Sequence, residues 1–382
     1  MTNTNYNIAI IGQTGVGKSS LINYLFGSEV AKSGIGRPVT TNGFHEINHK
    51  IKDMSVKIYD SWGLEVGKEE QWLKELNTEL KKRGIDKPAS DWFHSIFYCI
   101  AASGGRIQDA DSKIVKKLID ENYKVSIVLT KADSLTEEEE AEFIQVIAHE
   151  LGNNIAIIPV CSEHKKTRGG EIIPFGKEIV EKQSLIDLVD SLVLRIPQHC
   201  KEVMLEKLRT WQAKQHKKID DDLGFFFFIS SELQNELSSS SEKIIKEINE
   251  LGNTSEKNAL QQYNFIAEHI GMQISTGYGR KKDPKIDDHK ETDFDWKMIP
   301  FVPFILVALP FITPFMRKDD AKKMHTAVDT FAMNVKDMIN EKVTNLEISL
   351  KTVKEKISNL IIKKPICFQV GFLLFFRLVK NF

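Results

Sequence analysis

Gly12-Gln13-Thr14-Gly15-Val16-Gly17-Lys18-Ser19 completes the spacing G-x-x-x-x-G-K-[ST], a set of residue types suited to wrapping a chain of phosphates. Glycines let the backbone take positive φ and curl its N–H groups around an anion, and a helix opening directly after them adds the positive end of its dipole. Lys18 is expected to reach the outer phosphate oxygens, with Ser19 giving a hydroxyl to Mg²⁺ and Ser20 completing the row. The flanks suit this chemistry. Asn7-Ile8-Ala9-Ile10-Ile11 is a short apolar run of the buried-strand kind, and Ser20 to Phe26 carries apolar residues at helical spacing.

A phosphate loop does not choose a base, so that choice is read further along. Lys124-Val125-Ser126-Ile127-Val128-Leu129 reads as another strand and delivers Thr130-Lys131-Ala132-Asp133, which matches the guanine motif [NT]-K-x-D. A carboxylate there accepts two hydrogen bonds from the guanine ring N–H and exocyclic amine, whereas adenine offers neither and leaves the carboxylate unpaired. Lys131 is expected to lay its stem over base or ribose.

Between the two motifs lies Asp60-Ser61-Trp62-Gly63, the pattern D-x-x-G, at the end of the run Val56-Lys57-Ile58-Tyr59. Asp60 is expected to hold Mg²⁺ through a water, and the Gly63 N–H to sense the γ-phosphate. Pro38-Val39-Thr40-Thr41 falls where a first switch loop would lie. One of its threonines should complete the Mg²⁺ shell, Thr41 being preferred and Thr40 left open. After the apolar run 154–160 comes Cys161-Ser162, where the Ser162 N–H is placed against the guanine carbonyl.

With five elements in this order, residues 5–195 resemble small regulatory GTPases. They are similar to the Era-like, 50S-ribosome-binding-type superfamily in GQTGVGKSSLIN, the threonine pair, DSWG, TKAD and the final CS. The wording TGVGKSS also resembles septin-like, chloroplast-import and immune-associated GTPases, which brings dynamin-like and interferon-inducible, membrane-acting kinds within reach. The resemblance implies GTP/GDP and Mg²⁺ as ligands and hydrolysis as the activity, with Lys18 and Thr41 carrying the catalytic roles. Three positions depart from the pattern. Thr130 stands where many relatives have asparagine, Trp62 where they have proline, and Gly15 where potassium-activated members have asparagine. Leu64 follows D-x-x-G where a Ras-type enzyme carries the glutamine that orients water, so slow basal turnover is expected.

The elements that must position these residues read as an α/β alternation. Strands are expected near 43–49, 55–60, 93–100, 124–130 and 154–160, and helices near 70–83, 108–121, 136–151 and 183–195. That predicts a mostly parallel sheet with helices on both faces over residues 1–197, bounded at Pro197. Residues 163–176 read as a polar loop, and 277–296 as a loop or hinge. Residues 198–364 read as an all-α domain. Val203, Leu205, Leu208 and Trp211 recur at helical spacing, and so do Leu233, Leu237, Ile244, Ile245, Ile248 and Leu251. From 319 to 364 apolar residues recur in steps of three and four, which predicts one long amphipathic helix or coiled-coil strand, a member of an intramolecular bundle being preferred.

Two apolar stretches concern location. Ile299 to Met316 holds eighteen uncharged residues with prolines at 300, 303, 310 and 314, so membrane contact and burial stand as equal expectations. The tail 365–382 is apolar as well, and Phe225 to Phe228 form a further cluster.

At 382 residues, 41% hydrophobic and 27% charged, the chain is globular and long enough for two domains. A net charge of -1 excludes a whole-chain attraction to nucleic acid. Four scattered cysteines with no C-x-x-C spacing suggest reduced thiols, and the first strand begins too early for a signal peptide. The expected location is cytosolic, with a peripheral membrane position as the alternative. The expected partners are GTP, a membrane surface or ribosome, and a second copy through the nucleotide domain or the long helix.

Overall fold

The computed structural model describes residues 6–27, 43–51, 54–64, 68–167, 170–225, 231–275 and 318–362. Its strands are β1 (Tyr6–Gly12), β2 (Phe44–Ile51), β3 (Met54–Ser61), β4 (Ser95–Ala101), β5 (Val125–Thr130), β6 (Ala156–Val160), β7 (Lys165–Thr167) and β8 (Gly170–Ile172). Its helices are α1 (Lys18–Phe26), α2 (Glu69–Lys82), α3 (Asp109–Asp120), α4 (Glu137–Leu151), α5 (Lys177–Phe225), α6 (Ser231–Ser275) and, last, α7 (Lys318–Ile362).

Six strands pair in the order β2-β3-β1-β4-β5-β6, with β2 antiparallel to β3 and every other neighbour parallel. The central strands are buried on both faces, as parallel strands covered by helices must be. Side chains alternate along β1, so Ile8 and Ile10 enter one core while Ala9 and Ile11 enter the other. The second core holds Trp72, Leu76, Ile114, Leu118 and Phe143 from α2, α3 and α4. The first takes Leu21 and Leu25 from α1 with Leu188 and Leu192 from α5, and it does not stop at the edge of the sheet. It continues through Met204, Leu208 and Trp211 to Leu237 and Ile248 of α6 and to Val335, Ile339, Leu346 and Leu350 of α7.

The boundary expected at Pro197 coincides with no break. A 49-residue helix, α5, runs straight through Pro197 and at 1.5 Å per residue reaches about 70 Å. Proline removes one backbone donor from the helix interior. Buried Leu192, Val193, Ile196, Cys200 and Met204 on either side keep the helix packed against its neighbours across that gap. Residues 163–176, read as a polar loop, contain the β7–β8 hairpin, where Lys165 pairs with Ile172 and Lys166 with Glu171. The hydrophobic signal is too short in either strand to announce it. The other elements of the nucleotide half lie within a few residues of their expected positions.

Both α6 and α7 run antiparallel to α5. Trp211 Nε1 donates to Ser240 Oγ at 2.7 Å, while Lys354 Nζ meets Asp190 Oδ1 at 2.8 Å and Gln212 Nε2 donates to Asp329 Oδ1 at 2.7 Å. The amphipathic helix expected from 319 is thus α7, seated along α5 in a bundle. The expectations for 277–296, 299–316, 365–382, Phe226 to Phe228 and the threonine pair fall outside the described residues. Among the described residues, no helix is long and apolar enough to cross a membrane.

Candidate nucleotide site

The loops that carry the motifs all emerge from the carboxyl edge of the sheet, after β1, β3, β5 and β6. In an open α/β sheet this is the edge where ligands bind. Gly12 ends β1 with φ +152°, and a Cβ there would lie 2.5 Å from the Cys99 carbonyl oxygen, so only glycine lets the loop turn this close to β4. Gly17 stands at φ +101° immediately before α1, and no side chain caps the helix. The N–H groups of the first helical turn have no partner within a helix, which suits them to an anion.

Lys18 is buried, and its Nζ donates to the carbonyls of Gly12 and Gln13 at 3.0 and 2.9 Å. Burial holds its ammonium below the ordinary value, and the charge of Asp60 opposes that shift. Asp60 is itself buried at the end of β3 in register with Ile10. The Cys99 thiol beneath the loop is pushed up to about 12 by burial, so it stays neutral beside Lys18.

The D-x-x-G loop is joined to the phosphate loop backbone to backbone. Thr14 N donates to Leu64 O at 3.0 Å and Leu64 N to Gly12 O at 3.3 Å. Contact is so close that a Cβ on Gly63 would sit 2.4 Å from Thr14 Cα. The Leu64 side chain is buried beside Trp62 and Trp72, so it contributes packing. Trp72 Nε1 donates to the Trp62 carbonyl at 3.0 Å, which fixes the residue found in place of proline.

The base motif grips the same loop from the other side. Lys131 adopts the left-handed conformation at φ +56°, and its Nζ donates to Gly15 O at 2.8 Å. Thr130 is buried, and its hydroxyl hydrogen-bonds the Val16 carbonyl and lies 3.2 Å from that of Ile100. At Thr130 a hydroxyl makes the brace between the two loops. Asp133 follows in the short turn Ala132–Ser134. Ser162 lies just past β6, where Cys161 exchanges backbone hydrogen bonds with Phe175 at 3.0 and 3.1 Å. Ser20 Oγ donates to Glu163 Oε1 at 3.2 Å, tying the start of α1 to that loop.

Thr41 and Thr40 are outside the described residues, so the third expected Mg²⁺ contact is not placed. Among the described residues, no three His, Cys, Asp or Glu side chains converge as metal ligands. The described residues suited to hold a cation here are Ser19, next to Lys18, and buried Asp60, whose charge acts on that lysine. Bound there, Mg²⁺ would neutralise phosphate charge.

Sequence reasoning missed Asp111 and Tyr98. Gln13 Nε2 lies 3.0 Å from both carboxylate oxygens of Asp111, and Tyr98 OH donates to Asp111 Oδ1 at 2.7 Å. The only local signal was Gln108 and Asp111 at capping-box spacing before α3. A cavity of about 730 Å³ between α5 and α6, lined by Val203, Trp211 and Ile244 with charges of both signs, is remote from these loops.

Comparison with known proteins finds relatives of the nucleotide half. Residues 7–131 match the family model described as 50S ribosome-binding GTPase. Septin-9 of Rattus norvegicus is 29% identical over 182 residues, covering 40% of this chain and 31% of that protein. Cell division control protein 10 of Candida albicans is 28% identical over 181 residues, covering 41% and 50%. The chain thus spans about a third to a half of the length of these curated relatives. Among solved structures, Toc33 from Arabidopsis thaliana in complex with Mg²⁺ and GMPPNP is 18% identical, with a TM-score of 0.38 over 50% of this chain and 86% of that one.

Proposed function

We propose, on the match of residues 7–131 to the GTPase family model, that the chain binds GTP with Mg²⁺ and hydrolyses it slowly as a conformational switch. One observation carries the reading. Lys131 and Thr130 of the base motif hydrogen-bond the carbonyls of Gly15 and Val16 in the phosphate loop, so a base reader and a phosphate cradle form one rigid site. The output is assigned to the helical part, because α5 leaves the sheet without a break and shares its core with α6 and α7. Buried Leu64 cannot orient water, so another group supplies that function, and a second copy or a partner is the natural source. The test is GTP turnover by the full chain at increasing protein concentration. Turnover per molecule that rises with concentration, and its abolition in Lys18→Ala, are expected. Unchanged turnover in Lys18→Ala would overturn the site.

A second reading, a membrane-acting GTPase of the dynamin-like kind located peripherally at a membrane facing the cytosol, is favoured by the eighteen uncharged residues Ile299–Met316. Flotation with liposomes tests it. Cofloating that is lost on deleting 299–316 supports it, and no cofloating of the full chain contradicts it. A ribosomal role has the family description alone behind it, and cosedimentation with ribosomal subunits in a GTP analogue tests that reading.

A further inference from the structure

The phosphate loop is held from three sides, two of which belong to the established motifs. The third is Asp111, a 3% exposed carboxylate in the first turn of α3. It accepts from both the Gln13 amide and the Tyr98 hydroxyl, and its Oδ2 also accepts from Gln108 N at 3.2 Å. A buried carboxylate this well satisfied is an anchor, because each donor it holds offsets part of its desolvation. Tyr98 stays protonated as a donor, its phenol raised well above the ordinary value by burial and then by Asp111. Gln13 is held at its side chain by Asp111, while its main-chain carbonyl accepts from Lys18 Nζ at 2.9 Å. Its backbone also bridges to Leu64.

We propose that Asp111 is a positioning residue for the nucleotide site: by fixing the Gln13 side chain it aims the Gln13 carbonyl that holds the Lys18 ammonium at the phosphates. The inference rests on GTP binding at this loop and adds α3 to the elements that report on it. The contact is specific in chemistry. Gln13 Nε2 donates to both carboxylate oxygens of Asp111 in one three-centre contact, and an alkyl side chain at either position leaves nothing to orient the peptide.

The test is a double-mutant cycle in the full chain, read with fluorescent GTP and GDP analogues. Gln13→Ala leaves Asp111 its bonds to Tyr98 and Gln108, so α3 keeps its cap and the protein folds. Each of Gln13→Ala and Asp111→Ala is expected to weaken GTP binding roughly tenfold, the size of one hydrogen bond to a charged group. The double variant should also be about tenfold weaker, because both changes break one linkage. GDP should lose less than GTP, since Lys18 serves the outer phosphates, and guanine should stay preferred over adenine. Asp111→Asn should recover most of the affinity, because Gln13 can turn its amide and accept from the new NH₂. A merely structural role for Asp111 would lower the melting temperature without changing the GTP-to-GDP ratio. Wild-type affinity in Gln13→Ala, or losses that multiply to roughly a hundredfold, would overturn the proposal. A wild-type chain that binds no GTP would overturn this proposal together with the functional reading beneath it.

Discussion

Replacing Gly63 by alanine puts a methyl group where the structure has no room for one. The added carbon would lie 2.3 Å from Thr14 Oγ1, 2.4 Å from Thr14 Cα and 2.6 Å from Thr14 N. Two of those atoms are backbone, so no rotamer change relieves the clash and the D-x-x-G loop must move off the phosphate loop. That movement breaks Thr14 N to Leu64 O and Leu64 N to Gly12 O. Overpacking a close contact costs about 1–3 kcal/mol and each of the two lost hydrogen bonds about 1 kcal/mol, so the expected loss is about 3–5 kcal/mol. Gly15→Ala is the matched control. Its φ of +79° strains an alanine, yet nothing lies within 4 Å of the added carbon, so about 1 kcal/mol is expected. Urea denaturation read at constant slope measures both variants. Gly63→Ala should unfold at clearly lower urea than Gly15→Ala and bind GTP more weakly. Equal midpoints for the two variants would refute the claim that the loops are locked at Gly63.

Further outcomes follow from other buried polar groups. Thr130→Val keeps the volume but deprives the Val16 carbonyl of its donor, so a loss of about 1–3 kcal/mol and weaker nucleotide binding are expected by denaturation and titration. Asp187 of α5 accepts from Ser95 and Ser126, both at 2.9 Å, and from Gln183 at 2.8 Å. Burial pushes its carboxyl up from 3.8 to about 6 despite those donors. The folded state therefore binds the proton more tightly than the unfolded state, and this group's contribution is full below about pH 4 and lost as pH rises through about 6. A shift of that size corresponds to about 3 kcal/mol. Asp187→Asn should remove this decline from stability measured between about pH 4 and 7, and an unchanged pH profile would count against it.

What was legible in the chain was local. The phosphate loop, D-x-x-G and T-K-x-D each lie on one strand–loop segment, and the buried runs before them fix which edge of the sheet they reach. Steps of three and four also suffice for α7, because one helical face is enough to seat a helix in a bundle. Pro197 misled because its local penalty is outweighed by packing on α6 and α7, which a one-dimensional pattern does not display. Asp111 was invisible for the same reason. It lies 98 residues from Gln13, and only the pairing of β1 with β4 and the return of the chain into α3 bring the two together. In the sequence Asp111 reads as an ordinary helix-start acid. The brace at Thr130 required the distance to Val16, 114 residues away.

Thr130 to Asp133 is proposed to read guanine for the phosphate loop that Thr130 and Lys131 hold. Competition binding of GTP, ATP and XTP to the wild-type chain and to Asp133→Asn tests it most directly. Asp133 offers two acceptors to the guanine ring N–H and amine, and asparagine turns one of them into a donor. Wild type is expected to prefer GTP, and Asp133→Asn to lose GTP while gaining XTP, whose carbonyl accepts where guanine donates. Undiminished GTP selectivity in Asp133→Asn would contradict it.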